Sequence, residues 1–320
     1  RPILPHRRYI MRDLVLVHGR SQQRRDSIKL KAAWIGDWER GLKKLGLERP
    51  IADEQIHFPY YGDTLDQLVA GKSPEEAAQI VVRGNQPDDD SAPLSDDEKA
   101  FIEAALMEQI GLYAANPDLA VQQELPPGTP IEKGVLNWGW VQGILTVLDR
   151  HVPGASGASV ALATRDVYQY LTRKNVRDII DNGVASAMDK AAGRKTVVVA
   201  HSLGTVVAYN VLRNLGQTKG WSVPLFVTVG SPLAITVIKQ RLAQISPMVY
   251  PGCVGGWYNA MDERDVVALY PLDETNFRLK PKIENKTNVD NHTENRHGID
   301  GYLDDPDVAK KIYDAVVQGD

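Results

Sequence analysis

Short apolar runs recur along the chain at residues 14–17 (LVLV), 196–200 (TVVVA) and 225–229 (LFVTV), with a briefer one at 256–259 ahead of an acidic stretch. Runs this continuous and rich in β-branched residues are what strands covered on both faces require. Between them the apolar spacing changes to three and four. Residues 165–190 set Val167, Tyr168, Leu171, Ile179, Ile180, Val184 and Met188 at such steps, which predicts an amphipathic helix. A second helix is predicted over 203–215, stopped by Gly216 where a C′ glycine would sit. A last one starts near Asp305-Pro306 and runs towards Val317. Strands alternating with crossover helices predict the α/β class, with a mainly parallel, doubly wound sheet.

The stretch 66–160 breaks this rhythm. Ser-Pro-Glu-Glu at 73–76 and Ser-Asp-Asp-Glu at 95–98 have the spacing of capping boxes, so each predicts a helix start. The acidic run at 88–90 between them reads as a solvated loop. A further helix, predicted over 135–150, carries Trp138, Trp140, Ile144, Leu145 and Leu148. Such a stripe either lines a pocket or buries the helix against its neighbours. Gly-Ala-Ser-Gly-Ala-Ser at 154–159 reads as a hinge or linker. The expected organisation is a core of 1–65 and 161–320, interrupted by a helical cap insertion over 66–160.

Composition narrows the classes. With 320 residues, 43% hydrophobic and 24% charged, the chain can bury a substantial core and is neither disordered nor collagen-like. A single cysteine, Cys253, excludes an internal disulfide framework and a cysteine-based zinc cluster. A net charge of −4 gives no basis for a nucleic-acid partner. No apolar run approaches the roughly 18–20 residues that a membrane helix needs, so no integral membrane segment is expected. The expected compartment is the cytoplasm, although a signal peptide already removed would leave no trace here. No HExxH, GxxxxGK[ST] or strand-following GxGxxG is present, and the acidic run lacks EF-hand spacing; neither cofactor nor metal is expected.

The sharpest chemical signal is VVVAHSLGTVVAY at 197–209. A β-branched strand leads into Ser202 and a helix follows at once, with small residues, Ala200 and Gly204, at minus two and plus two. A strand-to-helix turn this tight brings backbones together and lifts the serine hydroxyl clear of the sheet. The helix N-terminus then aims free N–H groups and the positive dipole end at the apex.

On these residues the chain resembles the α/β-hydrolase family, and more narrowly its lipase- and esterase-like members. The resemblance covers 14–19, 57–65 and 164–317 and leaves the insertion unmatched. The family's first elbow glycine is Ala200 here, a small residue that members tolerate. The resemblance implies an α/β-hydrolase fold with Ser202 as nucleophile. LVLVHGR at 14–20 is similar to the family's strand-His-Gly segment, which implies that the backbone N–H groups of Arg20 and Leu203 form an oxyanion hole, with His18 structural. Asp262 and Asp265 both follow the short strand; Asp265-Val-Val is similar to the family's acid signature and is favoured. Of His292 and His297, the latter better fits the family's histidine loop before the final helix, with Tyr302 following. Gly-Ser-Pro at 230–232 resembles a pocket-wall turn, so Ser231 is expected beside the site.

The expected activity is hydrolysis of carboxylic esters through a Ser202–His297–Asp265 triad and an acyl-enzyme, acting on a small-molecule or lipid-like ester. Thioesterase, peptidase and acyltransferase chemistry use the same triad, and a catalytically silent hydrolase-fold binding protein is the rival from another class. Acyl preference and oligomeric state are not legible in the sequence.

Overall fold

The computed structural model describes residues 11–19, 27–61, 95–125, 134, 138–151, 157–191 and 194–318. His6, Arg20, the capping box at 73–76 and the acidic run at 88–90 lie outside the described residues.

Six strands form one sheet: β1 (Asp13–Val17), β2 (Ile56–His57), β3 (Thr196–His201), β4 (Phe226–Val229), β5 (Trp257–Ala260) and β6 (Glu284–Lys286). Their order is β2-β1-β3-β4-β5-β6 and every pairing is parallel, with Val17 opposite Ala200 and His201 opposite Val229. Alternate side chains feed two apolar clusters. Val15, Val17, Val198 and Ala200 point to one face, whereas Leu14, Leu16, Val197 and Val199 point to the other. Burial on both faces explains why these strands read as unbroken apolar runs. The sheet thus belongs to the α/β class expected from the pattern.

The chain leaves β1 for β2 on one side and later enters β3 on the other. β1 and β3 therefore flank a topological switch point, where open α/β sheets form a crevice beyond their carboxyl ends.

One face is covered by α1 (Ser27–Lys43), a helix the apolar spacing above does not name. The Trp38 indole of α1 donates to the Ala309 carbonyl at 3.1 Å. The other face carries α2 (Asp96–Ile110), α3 (Pro117–Gln123), α4 (Trp138–His151), α5 (Gly157–Thr172), α6 (Lys174–Lys190), α7 (Leu203–Leu215) and α8 (Thr236–Ile245). Two helices close the chain on the α1 side, α9 (Ile299–Leu303) and α10 (Pro306–Val317), the latter capped by Asp305.

Four local expectations need correction. The predicted 165–190 helix is two helices, broken at Arg173, whose backbone is extended. Arg177 donates back to the Leu171 carbonyl at 2.7 Å, satisfying one of the acceptors freed by the break. The break resets the helical phase, so Ile180, Val184 and Met188 face inward while Ile179 is 56% exposed. The 154–159 segment is not all hinge, because α5 already starts at Gly157 and runs across the 160/161 boundary. Gly216 ends α7 in a right-handed conformation rather than as a left-handed cap, and an added Cβ would fall on the Cys253 sulfur. At the 95–98 box, Ser95 accepts the Glu98 N–H at 3.1 Å, but the Glu98 carboxylate turns away to accept from Arg165 and Gln169.

The 66–160 stretch packs tightly where it is described. Trp140, Ile144 and Leu148 are fully buried, in the same apolar cluster as Val198 and Phe226. These residues bury the helix instead of lining open space; the Trp138 side chain lies outside the described part. Polar ties reinforce the packing. Tyr168 and Arg241 both donate to Asp97, and Glu108 accepts from the Thr236 N–H and hydroxyl at 3.1 and 3.0 Å. No helix among the described residues is long and apolar enough to cross a membrane.

Candidate active site

Ser202 is the single residue between β3 and α7, and its backbone has φ 55° and ψ −130°. A non-glycine residue in this region is strained and persists only where its surroundings over-determine it. Here they do. An added Cβ on Gly204 would fall on the carbonyl oxygens of Val17 and His18, so glycine is what lets α7 touch the end of β1. One on Gly19 would lie 2.7 Å from Ser202 Cβ, so glycine again admits the close approach of the Ser202 side chain. The Ser202 N–H donates to the Val229 carbonyl at 3.2 Å. Its carbonyl accepts the Thr205 N–H at 2.9 Å and the Thr205 hydroxyl at 2.8 Å. With that hydrogen committed, Thr205 accepts from Ser231 at 2.8 Å, and Ser231 in turn accepts the Leu233 N–H. Ser231 thus supports the serine turn from behind.

The carboxyl ends of neighbouring strands bring the remaining groups together. Ser202 Oγ stands 2.9 Å from His297 Nε2, and His297 Nδ1 stands 2.8 Å from Asp265 Oδ2. With Nδ1–H donating to the carboxylate, Nε2 is the ring's acceptor for the serine proton. Asp265 has no exposed surface, yet both of its carboxyl oxygens have hydrogen-bond donors. Oδ1 accepts the N–H groups of Val267 and Ala268 at 2.9 and 3.2 Å, and Oδ2 also accepts the Tyr302 hydroxyl at 2.6 Å. Four donors on one buried carboxylate compensate its loss of water. Burial, and then the Asp265 charge, hold the Tyr302 phenol well above its usual range, so it remains a donor.

His297 follows Arg296, which has a positive φ of 59°. The loop is held by the His297 N–H donating to Asn295 at 3.1 Å, and by His201 Nε2, which donates to the His297 carbonyl at 2.8 Å. Gly230, at φ +57°, provides room: an added Cβ would approach both histidine rings to 3.1–3.2 Å.

The other two candidates have separate partners. Asp262 is buried; burial opposes its ionisation, but bonds from Arg264 and the Asn291 N–H outweigh that and hold it below the usual carboxylate range. His292 is half exposed and donates to Asp304 at 3.0 Å, away from the serine relay.

His18 is buried among aromatic rings, stacked on Tyr61 at 4.1 Å and Phe58 at 5.4 Å. Its Nδ1–H donates to the Gly19 carbonyl at 2.6 Å and its Nε2 accepts the Tyr61 N–H at 3.3 Å. Burial pulls its pKa down to about 4, against the Gly19 bond, so the ring is a neutral strut for the 18–19 turn. Leu203 is the first residue of α7, and its N–H has no intrahelical acceptor; Arg20 lies outside the described residues. Tyr113 lies on the Asp265 side of the site, where its hydroxyl is 3.5 Å from the Arg264 carbonyl and its ring stacks on His151.

Sequence reasoning missed three groups that brace this arrangement. Thr205 has no motif of its own, His201 reads only as a neighbour of the serine, and Tyr302 reads only as a marker of the histidine loop. Among the described residues no group of three or more His, Cys, Asp or Glu side chains is placed to hold a metal ion. No family model matches the chain, and a search of curated proteins also finds no match.

Proposed function

We propose that the protein is a serine hydrolase of carboxylic esters, built on the α/β-hydrolase fold and working without a cofactor in the cytoplasm. The observation that carries this reading is the relay from Ser202 Oγ through His297 to Asp265, at 2.9 and 2.8 Å, with the serine on a strained turn.

In this reading Ser202 Oγ attacks the ester carbonyl carbon while its proton passes to His297 Nε2. Asp265 keeps the imidazole in the correct tautomer and stabilises the imidazolium. The Leu203 N–H, with that of Arg20, binds the oxyanion, whose charge exists only in the transition state and tetrahedral intermediate. Collapse breaks the carbon–oxygen bond, and His297 returns the proton to the departing alcohol. Water, deprotonated by His297, then cleaves the acyl-enzyme to release the acid and restore the serine. A small-molecule or lipid-like ester is the expected substrate class.

The test is labelling with a fluorophosphonate, read by intact mass and peptide mapping. One stoichiometric adduct on Ser202, absent in Ser202→Ala, is the expected result. A folded protein that stays unlabelled by small and large phosphonates alike, yet binds hydrophobic esters, would overturn the reading in favour of a silent binding protein.

A further inference from the structure

We propose that His201 is a positioning residue for the base: its ring N–H holds the backbone carbonyl of His297 and thereby sets the imidazole against the serine. The inference rests on the hydrolase reading for its kinetic consequence, though not for its geometry.

His201 is the last residue of β3 and is bonded directly to Ser202. Its Nε2 lies 2.8 Å from the His297 carbonyl oxygen, and the two rings lie against each other with centroids 4.7 Å apart. Trp34 meets the His201 ring edge-on at 6.1 Å and Tyr302 lies at 6.2 Å, so the ring is boxed by aromatic groups. A carbonyl can only accept, so the ring must carry hydrogen on Nε2. A neutral ring does this without setting a second cation against an imidazolium. Burial first, and His297 second, push the His201 ring well below the usual histidine range, in keeping with that state.

The arrangement solves a specific difficulty. The base sits on a loop 95 residues beyond the nucleophile, next to the strained Arg296. A loop under strain drifts unless it is tied, and a displacement of about 1 Å at a reacting group can cost on the order of 100-fold in rate. His201 ties that loop to the residue adjoining the nucleophile, so base and nucleophile move together. Gly230 completes the arrangement, since a side chain there would crowd both rings.

The test compares His201→Met with His201→Gln. The two side chains have nearly the same volume, but only glutamine carries an N–H donor at the reach of Nε2. His201→Met is expected to lower kcat and the rate of Ser202 phosphonylation by roughly tenfold to 100-fold with little change in KM. His201→Gln is expected to recover most of that loss. Equal behaviour of the two variants, whether both impaired or both normal, would overturn the proposal. Should either fail to fold, ¹⁵N spectra of the wild-type ring decide: an exchange-protected Nε2–H supports the tie, and an Nδ1–H tautomer overturns it. Wild-type protein that does not label would instead fail the hydrolase reading, leaving the spectra to judge the hydrogen bond alone.

Discussion

The Tyr302 hydroxyl donates to the same oxygen of Asp265 that accepts from His297, at 2.6 Å against 2.8 Å. The phenol also accepts the Asp262 N–H at 3.2 Å, so it bridges the acid to the strand end that carries it. Tyr302→Phe keeps the ring and removes both bonds. Because a hydrogen bond to a charged group contributes about 1.5–3 kcal/mol, urea titration should show a loss of that order. Three donors remain on Asp265, so turnover should fall by less than about tenfold. An unchanged denaturation midpoint would mean that the phenol contributes nothing to holding the acid.

The two histidines of the 292–297 loop should separate cleanly. If His297 is the base of the proposed triad, His297→Ala is expected to lower kcat/KM by on the order of 10⁴- to 10⁶-fold. His292 forms a half-exposed pair with Asp304, worth at most about 1 kcal/mol, so His292→Ala should stay within about threefold of wild type. The reverse ranking would exchange their roles.

Gly19 and Gly204 face different neighbours, and their alanine variants should fail differently. On Gly204 the new methyl meets the backbone carbonyls of Val17 and His18, which cannot give way. A loss of at least about 1–3 kcal/mol in stability is expected. On Gly19 it meets the Ser202 side chain at 2.7 Å, so the proposed nucleophile itself is displaced. The larger effect there should be on labelling, on the order of 100-fold, with the smaller loss in stability. Parallel thermal melts and phosphonylation rates distinguish the two.

Stability should depend on pH through opposing groups. Between about pH 6.5 and 4 the unfolded chain binds a proton that buried His18 refuses, so stability is lost as pH falls across that window. Asp181 acts in the other direction. Burial raises it from 3.8 to about 6, against bonds from Tyr170 and Asn210, so between those values the folded state keeps a proton the unfolded chain has lost. Its contribution is therefore present at low pH and disappears as pH rises through about 6. Asp181→Asn removes the opposing slope. Denaturant titrations from pH 4 to 6 should then show stability rising more steeply, by on the order of 2 kcal/mol over the window.

What the sequence disclosed follows from the range of the interactions involved. β1, β3 and β4 were legible because burial on both faces demands unbroken apolar runs, and Ser202 because its turn demands small residues within two positions. Asp265 and His297 were each one of two adjacent possibilities, separated by resemblance and not by any local rule. The bonds from Tyr302 and His201 span 37 and 96 residues, and no periodicity encodes such a pairing. The break at Arg173 escaped for another reason: 165–190 keeps helical spacing on both sides, and only the changed phase, visible in the exposure of Ile179, reveals two helices.

The apolar cluster that joins Phe101, Leu106, Trp140, Ile144 and Leu148 of the helices between β2 and β3 to Val198 and Phe226 of the sheet has a consequence for how the molecule comes apart. Among the described residues the two regions share one apolar cluster, so neither can open without uncovering the other's core. Regions that share a core in this way open as one cooperative unit. Amide hydrogens in α2 and α4 should then exchange with solvent at the same free energy as those in β3. These helices are then expected to melt only when the sheet does.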